Sequence, residues 1–180
     1  MKWTSLFLVF SLVACSDSES SPPSDTSASS DGGAVASGDS STVDDASSFV
    51  SPVPITSTSE LEQWLRGGEY KSWVCESAPH DPGSGSAHSK NRICSNPTLS
   101  ADNGTGEVAL GAAGVKELYD SDGTIDGYAV YVKLEQGNEG DGWFWYERIG
   151  DSVVANGKGV ALCVGCHKGA PRDHVFTQVK

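Results

Sequence analysis

Gly114-Val115-Lys116-Glu117-Leu118-Tyr119, Gly127-Tyr128-Ala129-Val130-Tyr131-Val132-Lys133-Leu134 and Trp143-Phe144-Trp145-Tyr146-Glu147-Arg148 are three runs rich in β-branched and aromatic residues. Asp120-Ser121-Asp122-Gly123 separates the first from the second, and Gly137 to Gly142 separates the second from the third; both stretches read as turns. Consecutive strands joined by short turns pair with their neighbours, so these runs predict an antiparallel sheet. Alternation in the middle run puts Tyr128, Val130, Val132 and Leu134 on one face and Ala129, Tyr131 and Lys133 on the other. In the third run Trp143 and Trp145 share one face, Phe144 and Tyr146 the opposite one. Large side chains on both faces mean that both are covered.

Upstream of the sheet, Ser59 and Glu62 have capping-box spacing, with Leu61, Trp64 and Leu65 on one helical face. Gly67-Gly68 ends that helix, and Tyr70, Trp73 and Val74 read as a second helical turn packed on it. Ser77 to Asn91 reads as loop, Arg92-Ile93-Cys94 as a strand ended by Asn96-Pro97, and Ser100 to Gly106 as another loop. The fold class is mainly β, in the α+β sense: a small antiparallel sheet with a few flanking helices. Downstream, Asn156-Gly157-Lys158-Gly159 turns the chain into a C-terminal segment of different character.

That segment contains Cys163-Val164-Gly165-Cys166-His167. C-x-x-C-H is the spacing of a c-type haem attachment site: one helical turn presents two thiols to the two haem vinyl groups, and the next residue is a proximal iron ligand. A structural zinc site takes four ligands, and no second C-x-x-C is present. A thioredoxin-like pair belongs in a βαβ pattern, which this Gly-rich segment lacks. The C-x-x-C-H run therefore predicts one covalent haem c on Cys163 and Cys166, with His167 on the iron.

The first 14 residues have the pattern of an export signal: Lys2, then an apolar run from Trp3 to Val13, shorter than the ~20 residues that span a bilayer. Leu12-Val13-Ala14-Cys15 resembles a bacterial lipobox, which implies cleavage before Cys15 and lipid on its thiol. The alternative is an ordinary secretory signal followed by an incidental cysteine. Residues 15–57 read as a disordered acidic, Ser-rich tether, with seven acids and no Lys or Arg between Ser16 and Val50. Those acids supply more than half of the net charge of −12. Residues 58–180 are the expected haem domain. The expected location is the periplasmic side of a bacterial envelope, on a lipid anchor. No basic cluster is present, which excludes a nucleic-acid surface. With three of five cysteines assigned to lipid and haem, Cys75 and Cys94 remain as a pair for a disulfide in an oxidising compartment; free thiols or a metal pair are the alternatives.

The only methionine is Met1, inside the expected leader, so a Met/His iron is excluded. The sixth iron position is open, water-filled, or taken by His80, His88, His174 or a lysine. An open position suits gas binding or redox catalysis; a bis-His iron suits electron transfer.

Val115-Lys116-Glu117-Leu118-Tyr119, Gly142-Trp143-Phe144-Trp145-Tyr146, the late C-x-x-C-H and the closing Asp173-His174-Val175-Phe176-Thr177 together resemble the cytochrome P-460 family. Ser77-Ala78-Pro79-His80 and Gly85-Ser86-Ala87-His88 fit it more loosely. The resemblance runs from about Leu61 to the C-terminus. It implies a mainly antiparallel β fold, a five-coordinate c-type haem that oxidises hydroxylamine and passes electrons to an external acceptor, and a homodimer. It also implies a covalent bond from Lys116 to a haem meso carbon, for which the amine must at some point be neutral. Read from its strand alone, Lys116 is instead a solvent-facing residue paired with an acid. Enzymatic members carry a distal carboxylate on the strand after the lysine strand. Gly127 to Leu134 holds none, and Glu117 and Glu135 are poor substitutes. The sister cytochrome c-prime-beta group lacks the crosslink and binds nitric oxide or carbon monoxide behind an apolar wall, to which Tyr128, Val130, Phe144 or Phe176 could contribute here.

Overall fold

Six consecutive strands build a single antiparallel meander: β1 (Val74–Cys75), β2 (Asn91–Ser95), β3 (Ala113–Tyr119), β4 (Ile125–Lys133), β5 (Trp143–Ile149) and β6 (Ser152–Lys158), in spatial order β1-β2-β3-β4-β5-β6. Three helices flank it: α1 (Thr58–Gly67), α2 (Pro97–Ser100) and α3 (Ala161–His167). The computed structural model describes residues 49–180. The expected leader, Cys15 and the tether up to residue 48 lie outside the described residues. Among those described, no helix is long and apolar enough to cross a membrane.

One face of the sheet carries Val115, Tyr128, Val130, Val132, Phe144 and Tyr146 and is closed by Leu61 and Leu65 of α1 and by Tyr70. The other carries Tyr131, Trp143 and Trp145 and is covered by Val108, Val175 and the α3 residues Cys163 and Val164. The expected division of β4 and β5 between two faces is what the packing displays. Turn chemistry sets the strand ends: Gly123, at φ +82°, closes the β3–β4 hairpin, where a side chain would be strained. Cys75 lies opposite Cys94 across β1 and β2 and is disulfide-bonded to it, which ties the base of the loop carrying His80 and His88.

Several local expectations change. The N-cap of α1 is Ser57 rather than Ser59: its backbone is extended at φ −143° and its hydroxyl accepts from the Glu60 amide at 3.4 Å. Val74 begins β1 instead of continuing the 3₁₀ turn Glu69–Ser72. Asn96 both ends β2 and caps α2, its side-chain oxygen accepting from Leu99 N at 2.9 Å, so a short helix stands where no element was expected. β6 was also unforeseen, because its side chains are mostly exposed and carry no alternation. The boundary expected at residue 57 falls inside packed chain. Val53 is 1% exposed within the α1-side core, and Ile55 packs against it.

Candidate functional site

Antiparallel register decides which side chains meet above the α3-side face. Ile93 pairs with Lys116, Lys116 with Ala129, and Ala129 with Glu147, so one row across β2, β3, β4 and β5 reads Ile93-Lys116-Ala129-Glu147. Neighbouring positions in the next row are Gly114, Tyr131 and Trp145. The missing Cβ of Gly114 makes room for the Tyr131 ring, whose hydroxyl donates to Thr177 O at 3.2 Å. Above these rows lies a narrow cleft of about 40 Å³, open to solvent and lined by Lys116, Tyr131, Trp145, Glu147, Cys163 and His167, with His88 and Phe176 at its sides.

Helix α3 brings Cys163 and His167 to this cleft. It approaches the sheet over the 3₁₀ turn Glu139–Gly142, where Gly140 is indispensable: a Cβ there would stand 2.8 Å from His174 Nε2 and closer still to Val164. Cys163 and Cys166 are free thiols, half-buried and exposed respectively. Burial pushes the Cys163 thiol up to about 11, with Glu147 and Cys166 adding to the rise. A catalytic or redox-exchange cysteine has the opposite shift. Among the described residues no group of three or more His, Cys, Asp or Glu converges where a metal ion could be held, which leaves a zinc site at Cys163 and Cys166 without its remaining ligands.

His167 packs on Trp145, with ring centroids 4.6 Å apart, and on Phe176 at 5.3 Å. Its Nδ1 is 2.8 Å from the carbonyl of His174. A carbonyl only accepts, so Nδ1 carries the proton and Nε2 keeps the lone pair. Burial holds the imidazole below its usual basicity, partly offset by that hydrogen bond. A neutral ring with one nitrogen tied to a carbonyl and the other free is the arrangement of a metal-ligating histidine. With the two adjacent free thiols, the donor set fits a covalently attached haem.

Lys116 is not the solvent-facing, acid-paired residue that its strand alone suggests. It lies in the cleft, and among the described residues no carboxylate oxygen stands within 4.0 Å of its amine. Burial pushes its pKa down, while the more distant Glu147 and Glu76 act the other way. Its neighbour Glu117 points to the opposite face, fully buried, where it accepts from Tyr70 at 2.7 Å and Tyr119 at 2.5 Å and faces Arg92 at 3.5 Å. Glu135 is exposed and bonded to Lys158. Neither reaches the cleft, as expected.

The carboxylate of the cleft is Glu147, overlooked in the sequence because it belongs to β5 and not to the strand next to Lys116. Strand alternation from Trp143 and Trp145 could have placed it on this face. His88 Nδ1 donates to its Oε1 at 3.0 Å. Of the three spare histidines only His88 faces His167, with ring centroids 6.4 Å apart. His80 is exposed and bonded to Glu76, and His174 stands on His167's own side, its Nδ1 buried without a partner among the described residues. Of the residues considered for an apolar wall, Tyr128 and Phe144 pack in the α1-side core with Val130, whereas Phe176 does lie against His167. Comparison with protein-family models and with curated proteins returns no match to this chain.

Proposed function

We propose that this chain is a monohaem c-type cytochrome of the cytochrome P-460 kind, exported and lipid-anchored through Cys15, that oxidises hydroxylamine or a related small nitrogen compound. The single observation carrying the reading is that Lys116 of β3 and Cys163 and His167 of α3 line one cleft, although 47 and 51 residues of sequence separate the lysine from the other two. When bound, the haem would supply one-electron chemistry at an iron with an exchangeable sixth position, the electrons passing to an external acceptor.

The chain's own residues divide the remaining work. Cys163 and Cys166 would hold the group covalently, and His167 Nε2 would supply a ligand to its iron. Trp145, Tyr131 and Phe176 limit water at the His167 ring. Glu147, bonded to His88 Nδ1, is placed to take a proton from a substrate nitrogen in the cleft, and the His88 ring stabilises the carboxylate in its orientation. Lys116, its pKa pushed down by burial, gives up more readily than a free lysine the proton that a bond to the porphyrin edge requires it to lose.

A specific observation favours a second reading. The rings of His88 and His167 lie edge to face, 6.4 Å apart, each with Nδ1 bonded to an oxygen, and are the pair that a bis-His electron carrier would use. The test is maturation in a host that attaches haem c, followed by absorption spectra, haem-peptide mass and turnover with hydroxylamine and an acceptor. The enzyme reading expects a haem peptide joined to Lys116, lost in Lys116→Ala together with turnover. A low-spin spectrum that nitric oxide leaves unchanged would establish the carrier; tight nitric oxide binding without turnover would establish a gas-binding protein. A colourless product ends all three.

A further inference from the structure

The proximal histidine depends on a turn that is itself held from below. The His174 carbonyl that accepts from His167 Nδ1 belongs to a turn in which both Asp173 (φ +35°) and His174 (φ +67°) occupy the left-handed region, uncommon for residues with side chains. Such a conformation persists when its surroundings dictate it. Here they do so through the Asp173 carboxylate. Its Oδ1 accepts from Lys133 Nζ at 3.2 Å and from Trp143 Nε1 at 3.3 Å, and its Oδ2 accepts from the Val108 amide at 2.8 Å.

Lys133 lies on β4, on the same face as Tyr131, and is fully buried; its ammonium also meets Glu107 at 2.6 Å and lies 5.2 Å from the centre of the Trp143 ring. A buried ammonium demands a counter-charge, but Glu107 alone could supply one. What Asp173 adds is location, since the next residue along the chain carries the carbonyl that His167 uses.

We infer that Asp173 is a positioning residue for the proximal ligand: anchored by Lys133, Trp143 and the Val108 amide, it fixes the left-handed turn that aims the His174 carbonyl at His167 Nδ1. The inference rests on the haem reading above. The rest of the C-terminal segment has its own anchors. Arg172 is paired with Asp102, the Gln178 amide bonds Asp102 O at 2.9 Å, and Val179 N bonds Ser95 Oγ at 2.9 Å. Losing the Asp173 contacts therefore loosens the turn without releasing the segment.

The histidine hydrogen bond strengthens the imidazole as an electron donor to iron, so its loosening has a spectroscopic signature apart from stability. In holoprotein carrying Asp173→Asn, covalent haem content should match the wild type. The iron–histidine stretching band of the ferrous form should move to lower frequency, and the midpoint potential should rise. Glu107→Gln touches the same lysine from its solvent side and should leave both readings at the wild-type value. If Asp173→Asn does not accumulate, the double variant Lys133→Met/Asp173→Asn leaves no unpaired buried ion and is read the same way. Unchanged potential and band in haem-loaded Asp173→Asn, or an equal shift in Glu107→Gln, overturns the inference alone. A colourless wild-type protein overturns the haem reading and the inference with it.

Discussion

The two faces of the sheet are made by the same strands and behave as different materials. On the α1 side, ionisable groups are consumed: Glu117 is fully buried and its oxygens are taken by Tyr70, Tyr119 and Arg92. On the α3 side, one residue earlier in β3, Lys116 faces a cleft with no ion-pair partner among the described residues, near a free thiol, a histidine with a free ring nitrogen and the Glu147–His88 pair. A closed face satisfies its polar groups because burying them otherwise is costly. The amine, thiol and imidazole groups of the cleft are those that the proposed haem would engage. Period-two alternation is what lets the adjacent residues Lys116 and Glu117 serve a cleft on one face and a closed core on the other.

The sharpest way to break this contrast is a pair of substitutions one residue apart. Glu117→Ala should cost ~3–5 kcal/mol in denaturant unfolding, as removal of one partner from a buried network does. Lys116→Met should stay within ~1 kcal/mol of the wild type, since it removes a desolvated amine that has no partner. Similar losses for both would mean that the α3 face is as closed as the other.

Next in size is the cross-strand disulfide. Replacing Cys75 and Cys94 with serine frees a loop of 19-residue separation and should lower stability by about 3 kcal/mol, checked by unfolding with and without reductant. Because that loop carries His88, the variant should also loosen the Glu147–His88 bond, seen as faster exchange of the His88 ring proton.

Gly140→Ala probes how closely α3 seats on the sheet. The added methyl meets His174 and Val164, so a loss of ~1–3 kcal/mol is expected, with the near-ultraviolet signal of Trp145 and Trp143 altered. An unchanged signal would place α3 further from the sheet than the present geometry does.

The smallest effect is a slope. Lys116 has its folded pKa held below the ordinary lysine value by burial. Between those two values the unfolded chain binds a proton that the folded chain does not, so stability should rise with pH across that window. Below the window the cost of charging the buried amine is fully present, and above it the cost vanishes. Lys116→Met should remove this part of the slope in alkaline stability curves, whereas substitution of exposed Lys90 should not.

Alternation and turn chemistry made most of the sheet legible from sequence: β3, β4 and β5, their turns and the division of Trp143 from Phe144 all follow from local pattern. So did the pairing of Cys75 with Cys94, from cysteine count. β6 and α2 were not legible, the first because an exposed edge strand has no apolar period, the second because Asn96-Pro97 serves both as strand end and helix start. C-x-x-C-H carries its proposed haem attachment in spacing alone, since such attachment would need only residues within one turn of helix. What the tertiary structure decided was everything that depends on strands lying side by side. Register brought Glu147 level with Lys116, and folding of the loop brought His88 to Glu147. Packing of α3 over Gly140 carried His167 to the Asp173–His174 turn. His167 and His174 are only 7 residues apart, but the other contacts reach as far as 59 residues, set by hydrogen-bond register and close packing, and no local window of sequence contains them.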